Sequence, residues 1–439
     1  MLLFGFLSSI KEENYFFDVL SFIKEIFIIF AFDKNWLIME IIRRQEYLDK
    51  IEKVLGKGAI VVLTGQRRVG KSYMLKQLCE DKRADAMSNV IYIDKEKREF
   101  DSIRNYQDLN SYIEAHRRDG ATNYILIDEV QDILEFERTL RNYRTESDTE
   151  VIVTGSNASM FSGELATLIG GRYKEIYIQP LSYKEFIVFH NLADNDDALL
   201  KYINYGGLPG LTRIGLEEEA VRDYQMDIYH TVLLKDVILR NKIRNVPFLE
   251  NLVRFMADNE GKLISASSIS KYMKSQGENI TPSAIIGYQK YLEESFMLHK
   301  VSRFDIHGKR IFESNEKFYF EDNGIRNALA GGSREGDIEK IIENVIYQHL
   351  VRLGYKVYVG QLNAGEVDFV GVRSDGRRAY VQASFIISDD NTREREFGIL
   401  HRIKDNYPKY VISMTPLLSR SDADGVTHLH LRRFLVEGL

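Results

Sequence analysis

Ala59-Ile60-Val61-Val62-Leu63-Thr64-Gly65-Gln66-Arg67-Arg68-Val69-Gly70-Lys71-Ser72 is the stretch that decides the fold. Its first six residues form an unbroken run too short for a helix and read as a strand buried on both faces. After Ser72 the pattern turns helical through Tyr73, Leu75 and Leu78. Between them, Gly65 to Ser72 fits G-x-x-x-x-G-K-S/T, where a phosphate-binding loop belongs: after a strand and opening a helix. Glycines let the backbone close around phosphate, and exposed amides with the helix dipole favour the anion. The Lys71 ammonium suits the β- and γ-oxygens, and the Ser72 hydroxyl suits Mg²⁺. Gly65, Gln66, Arg67, Arg68, Val69, Gly70, Lys71, Ser72 and Tyr73 are therefore the expected residues for ATP, with Mg²⁺ as its companion ion.

Further apolar runs at Val90–Ile93, Tyr124–Ile127, Val151–Val153 and Glu175–Ile178 alternate with helix-competent segments, the pattern of a parallel sheet covered on both faces. The second run continues into Asp128 and Glu129. Placed after a P-loop, such a pair assigns Asp128 to the metal and Glu129 to the attacking water. The third ends in Thr154-Gly155-Ser156-Asn157, either polar groups beside the phosphates or a capped turn. Arg172, just before the fourth, has the charge and fork to meet a γ-phosphate, and equally suits a surface ion pair.

The bulk numbers narrow the possibilities. A chain of 439 residues exceeds one growing core, so two to four domains are expected. A net charge of −6 excludes a globally basic nucleic-acid binder, so any DNA contact has to come from a local patch. The single cysteine, Cys79, reads as a small buried hydrophobe in a reducing, cytoplasmic setting. Ile26 to Phe32 is too short to span a membrane and is flanked by Lys24, Glu25 and Asp33. The segment before Met39 differs in composition from the rest; either translation begins at Met39 or the segment is an amphipathic arm.

With these residues in place, the chain resembles the AAA+ superfamily, specifically the archaeal-type and bacterial P-loop ATPases with a C-terminal domain of unknown function. The carriers are the P-loop, Leu126-Ile127-Asp128-Glu129, Thr154-Gly155-Ser156-Asn157, Gly171-Arg172 and Pro180-Leu181-Ser182. Gly206-Gly207-Leu208-Pro209, Tyr319-Phe320-Glu321-Asp322-Asn323-Gly324, Glu343-Asn344 and Gly365-Glu366-Val367-Asp368-Phe369 follow downstream. The resemblance implies an ATPase with Lys71 and Ser72 at phosphate and metal, Asp128 and Glu129 at metal and water, and Asn157 as phosphate sensor; with Arg172 from the reading above, Glu129 and Asn157 make up the expected catalytic set. Oligomerisation is compatible with it, and Arg222 is one option for a lid arginine.

Two further modules are expected. Thr281-Pro282 opens a helix on which Ile285, Tyr288, Leu292 and Phe296 share a face. The region resembles a winged helix with Arg303 to Arg310 as wing. Lys290, Arg303, Lys309 and Arg310 suit DNA phosphates, while Glu278, Glu293, Glu294 and Asp305 make the patch mixed and leave a protein partner open. The last unit resembles the PD-(D/E)xK nuclease fold. Glu343, Glu366 and Asp368 stand as its metal-binding acids, with Gln382 in place of the second acid and Ser384 in place of the lysine. That substitution points to a vestigial site, with an active ATP-dependent DNA nuclease as the alternative.

The expected class is thus α/β: a P-loop NTPase (AAA+) parallel sheet with helical lid, winged helix and C-terminal restriction-endonuclease-like α/β domain. Its divisions are an extension at 1–38, the ATPase core at 39–180, the lid at 181–250, the winged helix at 251–332 and the nuclease-like domain at 333–439.

Overall fold

The computed structural model describes residues 42–158, 171–308, 310–332, 335–363, 365–416 and 421–439. The expected extension at 1–38, Gly170 and Lys309 lie outside them, and so does the side chain of Arg310. Arg44–Leu439 forms one compact unit.

β1 (Ile60–Thr64) is buried at every residue because it runs inside a sheet with a neighbour on each side. The sheet contains β2 (Ser88–Asp94), β3 (Thr122–Asp128), β4 (Thr149–Thr154) and β5 (Tyr173–Tyr177), in the order β2-β3-β4-β1-β5. All its pairings are parallel, with Val61 opposite Ile152 and Thr64 opposite Tyr177. Alternate residues of β1 serve two core layers. Val61 and Leu63 pack with α1 (Gln45–Glu52) and α2 (Lys71–Arg83), while Ile60 and Val62 pack with α3 (Tyr106–His116) and α4 (Phe136–Tyr143). Helices on both faces account for the unalternating apolar strands. This is the parallel sheet of a P-loop NTPase.

A helical region follows: α5 (Tyr183–Phe189), α6 (Asp196–Tyr205), α7 (Glu218–Thr231), a π-helical segment (Val232–Leu239), α8 (Val246–Asp258), α9 (Ala266–Ser275) and α10 (Pro282–Glu294). α7 to α10 surround a core that includes Val237, Phe248, Leu252, Ile269, Ile285 and Leu292. Thr281 caps α10 through Ala284 N, with Pro282 in its first turn, as the sequence anticipates.

The second sheet has eight strands in the order β12-β13-β11-β10-β9-β8-β6-β7. They are β6 (Leu298–Asp305), β7 (Arg310–Phe320), β8 (Lys356–Leu362), β9 (Gly365–Val372), β10 (Arg378–Ser384), β11 (Lys409–Ser413), β12 (Ser421–Ala423) and β13 (Val426–His430). β6 and β7, the strand pair that contains the ends of the expected wing at Arg303 to Arg310, form one end of this sheet, because β6 pairs in parallel with β8 from Arg303 to Asp305. The sheet therefore crosses the 332/333 division. α11 (Asn323–Leu329) and α12 (Ile338–Arg352) intervene between β7 and β8, and α13 (Asp390–His401) lies later in the chain. α12 packs on one face, in a core shared with Tyr183, Leu199 and Ile203, and α13 packs on the other. α14 (Leu431–Glu437) ends the chain. Among the described residues, no helix is long and apolar enough to cross a membrane.

Candidate functional site

The P-loop geometry follows from its glycines. Gly65 has φ +141°, and a Cβ there would sit 2.2 Å from the Ile178 carbonyl oxygen, so only glycine lets the loop leave β1 beside that chain. Gly70, at φ +100°, turns the loop into the first turn of α2. Lys71 is buried and donates from Nζ to the carbonyls of Gly65 (2.8 Å) and Gln66 (2.9 Å). Burial pushes its pKa down, against the opposing pull of Glu129 and Asp128. The ammonium is thus held inside the curl of the loop.

Across the sheet, Asp128 is 1% exposed. Burial raises its pKa, partly offset by hydrogen bonds from Thr154 and Ser72. The Thr154 hydroxyl donates to Asp128 Oδ1 (2.5 Å) and accepts from the Glu129 backbone amide (2.8 Å), so one side chain of β4 fixes the Asp128 carboxylate and the backbone that carries Glu129. Glu129 takes the left-handed region at φ +53°, a strained conformation for a side-chain-bearing residue, and Gln131 donates to its carboxylate. Ser72 and Asp128 are hard oxygen donors, already hydrogen-bonded to one another, which suits a Mg²⁺ that keeps several waters. Asn157 and Ser156 are buried just beyond β4 at the same end of the sheet.

The sequence reading missed two carboxylates here. Asp94 ends β2 directly opposite Asp128 and is 6% exposed. Its signal was present: the run Val90–Ile93 ends in an acid, as Tyr124–Ile127 does. Asp236, in the π-helical segment, accepts from Arg67 Nε at 2.7 Å, across 169 residues of sequence. No local pattern could have announced it.

Arg172 is not brought to this edge. Its carbonyl accepts from Ile60 N at the start of β1, whereas the P-loop leaves the other end, after Thr64. Roughly 15 Å of strand separates the two. Arg222 is exposed on α7. Tyr73 is 38% exposed and receives a hydrogen bond from Arg213.

A second cluster lies on the eight-stranded sheet. The Lys317 ammonium stands 2.7 Å from Glu343 Oε1, 2.7 Å from Glu366 Oε1 and 3.7 Å from Asp368 Oδ1. Tyr319 donates to Glu343 as well. Burial and Glu343 push the Asp368 carboxyl up, while its three acidic neighbours keep Lys317 charged despite burial. The three expected acids do converge, around a lysine of β7, while Ser384 stands at the position expected for one. Gln382 accepts from the Asp368 amide (3.3 Å), and Ser384 is buried. The missed signal is a lysine at an inward-facing position of an aromatic strand, Lys317-Phe318-Tyr319-Phe320.

Lys290 is exposed and 3.7 Å from Glu294, and Arg303 donates to Gln361 of β8.

Comparison with known proteins agrees with the loop and its sheet. A family model described as "AAA domain" matches residues 57–187, and one described as "Domain of unknown function (DUF8612)" matches 196–336. An uncharacterized protein of Haemophilus influenzae is 32% identical over 404 residues, covering 90% of this chain and 99% of its own length. The uncharacterized protein MJ1544 of Methanocaldococcus jannaschii is 27% identical over 388 residues, 84% of each chain. Among solved structures, the Walker-type ATPase paby2304 of Pyrococcus abyssi is similar at 15% identity and a TM-score of 0.44, over 65% of this chain and 95% of that one. The ORC1 protein of Aeropyrum pernix, solved in complex with DNA, is similar at 13% identity and a TM-score of 0.32, over 66% and 92%.

Proposed function

This chain belongs to the same family as the uncharacterized Haemophilus influenzae protein and carries an AAA domain, and from that premise we propose that it hydrolyses ATP where β1 and β3 end, and that nucleotide state governs the helical region docked there. The observation that carries the reading is Thr154 holding Asp128 and Glu129 together at the same sheet edge as the P-loop.

In the reaction, a water oxygen bonds to the γ-phosphorus while the bond from that phosphorus to the β–γ bridging oxygen breaks. Its electron pair leaves on ADP. The proton released by the water passes to Glu129 and from there to solvent. The P-loop amides and the Lys71 ammonium hold the β- and γ-oxygens, exchanging the carbonyls of Gly65 and Gln66 for phosphate. Mg²⁺, when bound, neutralises charge on those oxygens, and Ser72 and Asp128 are the residues that would hold it. Asn157 is proposed as the phosphate sensor. The test is phosphate release from MgATP by the full chain, compared with Lys71→Ala; equal rates in both would remove the assignment.

The helices α9 and α10 with the β6–β7 hairpin support a winged-helix reading, and duplex DNA is its proposed partner. A nucleotide-gated switch that binds a protein is the second reading. Exposed Tyr272 and Ile286 on those two helices favour it, as does the engagement of Arg303 with Gln361. DNA binding that weakens steeply with salt would select the first, and salt-insensitive capture of a protein partner the second. The unit from 333 to 439 is proposed as nuclease-like in shape and non-cleaving in chemistry, because Gln382 stands in place of its second acid and the Lys317 ammonium of β7 already pairs with Glu343 and Glu366.

A further inference from the structure

Arg172 stands at the wrong end of β1 to act within its own chain, yet an arginine does stand at the phosphate edge. Arg67 is the third residue of the P-loop, adjacent to the Gln66 carbonyl that the Lys71 ammonium touches. Its side chain is 17% exposed and lies between Asp236 at 2.7 Å and Glu96 at 3.8 Å, within electrostatic reach of Glu129. We infer that Arg67 is the catalytic arginine of ATP hydrolysis, supplied by the loop itself, and that Asp236 is its positioning residue. Turnover then requires the helical region to be docked on the P-loop. The inference rests on the ATPase reading above.

The geometry divides the guanidinium between two tasks. Nε donates to Asp236 Oδ2, which fixes the plane of the group. The two terminal nitrogens keep their donors for a second acceptor; one of them faces Glu96 at a length that a phosphate oxygen would readily outbid. A planar fork anchored at one edge loses little freedom when it meets the charge that develops on the γ-phosphoryl oxygens.

Asp236 is itself fixed from behind. It lies in the middle of the π-helical segment, whose neighbours Val232, Leu233 and Val237 are buried in the helical core. Its carboxylate therefore reports where that core sits, and Arg240 stands 3.8 Å from its other oxygen. A π turn at this point follows the tendency of such turns to occur at functional sites. Stability alone gives a weak reason for the pair, because taking two charges out of water offsets most of their attraction.

The experiment measures steady-state ATP hydrolysis and the Kd for a fluorescent ATP analogue with Mg²⁺, on full-length protein whose folding is checked by thermal melting. The variants are Arg67→Ala, Arg67→Lys, Asp236→Asn, Asp236→Glu and Arg67→Ala with Asp236→Asn. We expect Arg67→Ala to lower kcat by roughly 100-fold or more and to change Kd by less than about 10-fold. Arg67→Lys keeps the charge without the fork and should recover only a small part. Asp236→Asn, close to isosteric, should lower kcat by roughly 10-fold, and Asp236→Glu should retain most of it. The double variant should match Arg67→Ala alone, since Asp236 acts through Arg67. Losses that multiply in the double variant, or that fall entirely on Kd, would overturn the inference. A wild-type protein that releases no phosphate would sink the ATPase reading; wild-type turnover undiminished by Arg67→Ala would sink this inference and leave that reading intact.

Discussion

At the scale of single residues, the site separates charges that hold the nucleotide from charges that act on water. Lys71 belongs to the first kind, since its ammonium lies within the loop and meets phosphate in the ground state. Lys71→Ala should weaken ATP binding by about 3 kcal/mol, a factor of roughly 100, in an equilibrium titration. Glu129 belongs to the second, and Glu129→Gln should bind ATP normally while losing roughly 100- to 10,000-fold in turnover. Undiminished hydrolysis in that variant would remove Glu129 from its role. Lys71, Ser72, Asp128 and Glu129 were legible in the sequence because a phosphate loop and a strand-end acid pair are local patterns. Arg67 was legible as a loop residue but not as a paired one, because Asp236 is separated from it by a whole domain's length of chain.

At the scale of elements, α5 shows how a short helix joins parts of the chain. Ser182 and Glu185 form a reciprocal capping box, satisfying two backbone amides that would otherwise lack partners. The same Glu185 accepts from Arg44 (2.8 Å) before α1 and from Arg352 (3.2 Å) at the end of α12. Burial opposes its charge, yet the two guanidiniums hold its carboxyl at about 2, against an ordinary value of 4.5. A depressed carboxylate stabilises the fold above its unfolded value, and that stability is lost as pH falls towards the folded one. The contribution is about 3 kcal/mol, full above roughly pH 4.5 and gone near pH 2. Denaturant titrations across that window should show Glu185→Gln less stable at neutral pH, with the gap to wild type closing as pH falls. A constant gap would assign the effect to packing. Pro180-Leu181-Ser182 could be read as an element start; the arginines that Glu185 meets could not, since they lie 141 and 167 residues from it in sequence. Two other landmarks, Gly206-Gly207 and Asp322, meet through a 2.7 Å hydrogen bond that only the folded chain reveals.

At the scale of the molecule, the second sheet ties the helical region to the C-terminal unit. Tyr183, Leu199, Val301 and Tyr319 share one core with Ile341, Phe369 and Leu435. A fragment ending at residue 332 would strip that core and leave the β8-facing edge of β6 unpaired, so it should unfold at a lower temperature than the whole chain or aggregate. Cooperative melting of the fragment at the wild-type temperature would show the division at 332/333 to be a true domain boundary. The same sheet gathers Glu343, Glu366 and Asp368 around Lys317, which bears on cleavage of nucleic acid. Phosphodiester hydrolysis of the nuclease type needs a divalent ion clamped by carboxylates and a group that activates water. Here an ammonium 2.7 Å from two of the acids already supplies positive charge where the carboxylates converge, and a cation entering would have to displace it or share their oxygens. The expected outcome is no cutting of supercoiled or single-stranded DNA in Mg²⁺ or Mn²⁺, with or without ATP. Lys317→Met should not create cutting either, since neither Gln382 nor Ser384 supplies a charged group to activate water, and it should lower thermal stability by stranding buried carboxylates. Cleavage by the wild type that disappears in Asp368→Ala would overturn this reading, and Lys317 would then be the nuclease lysine delivered from another strand.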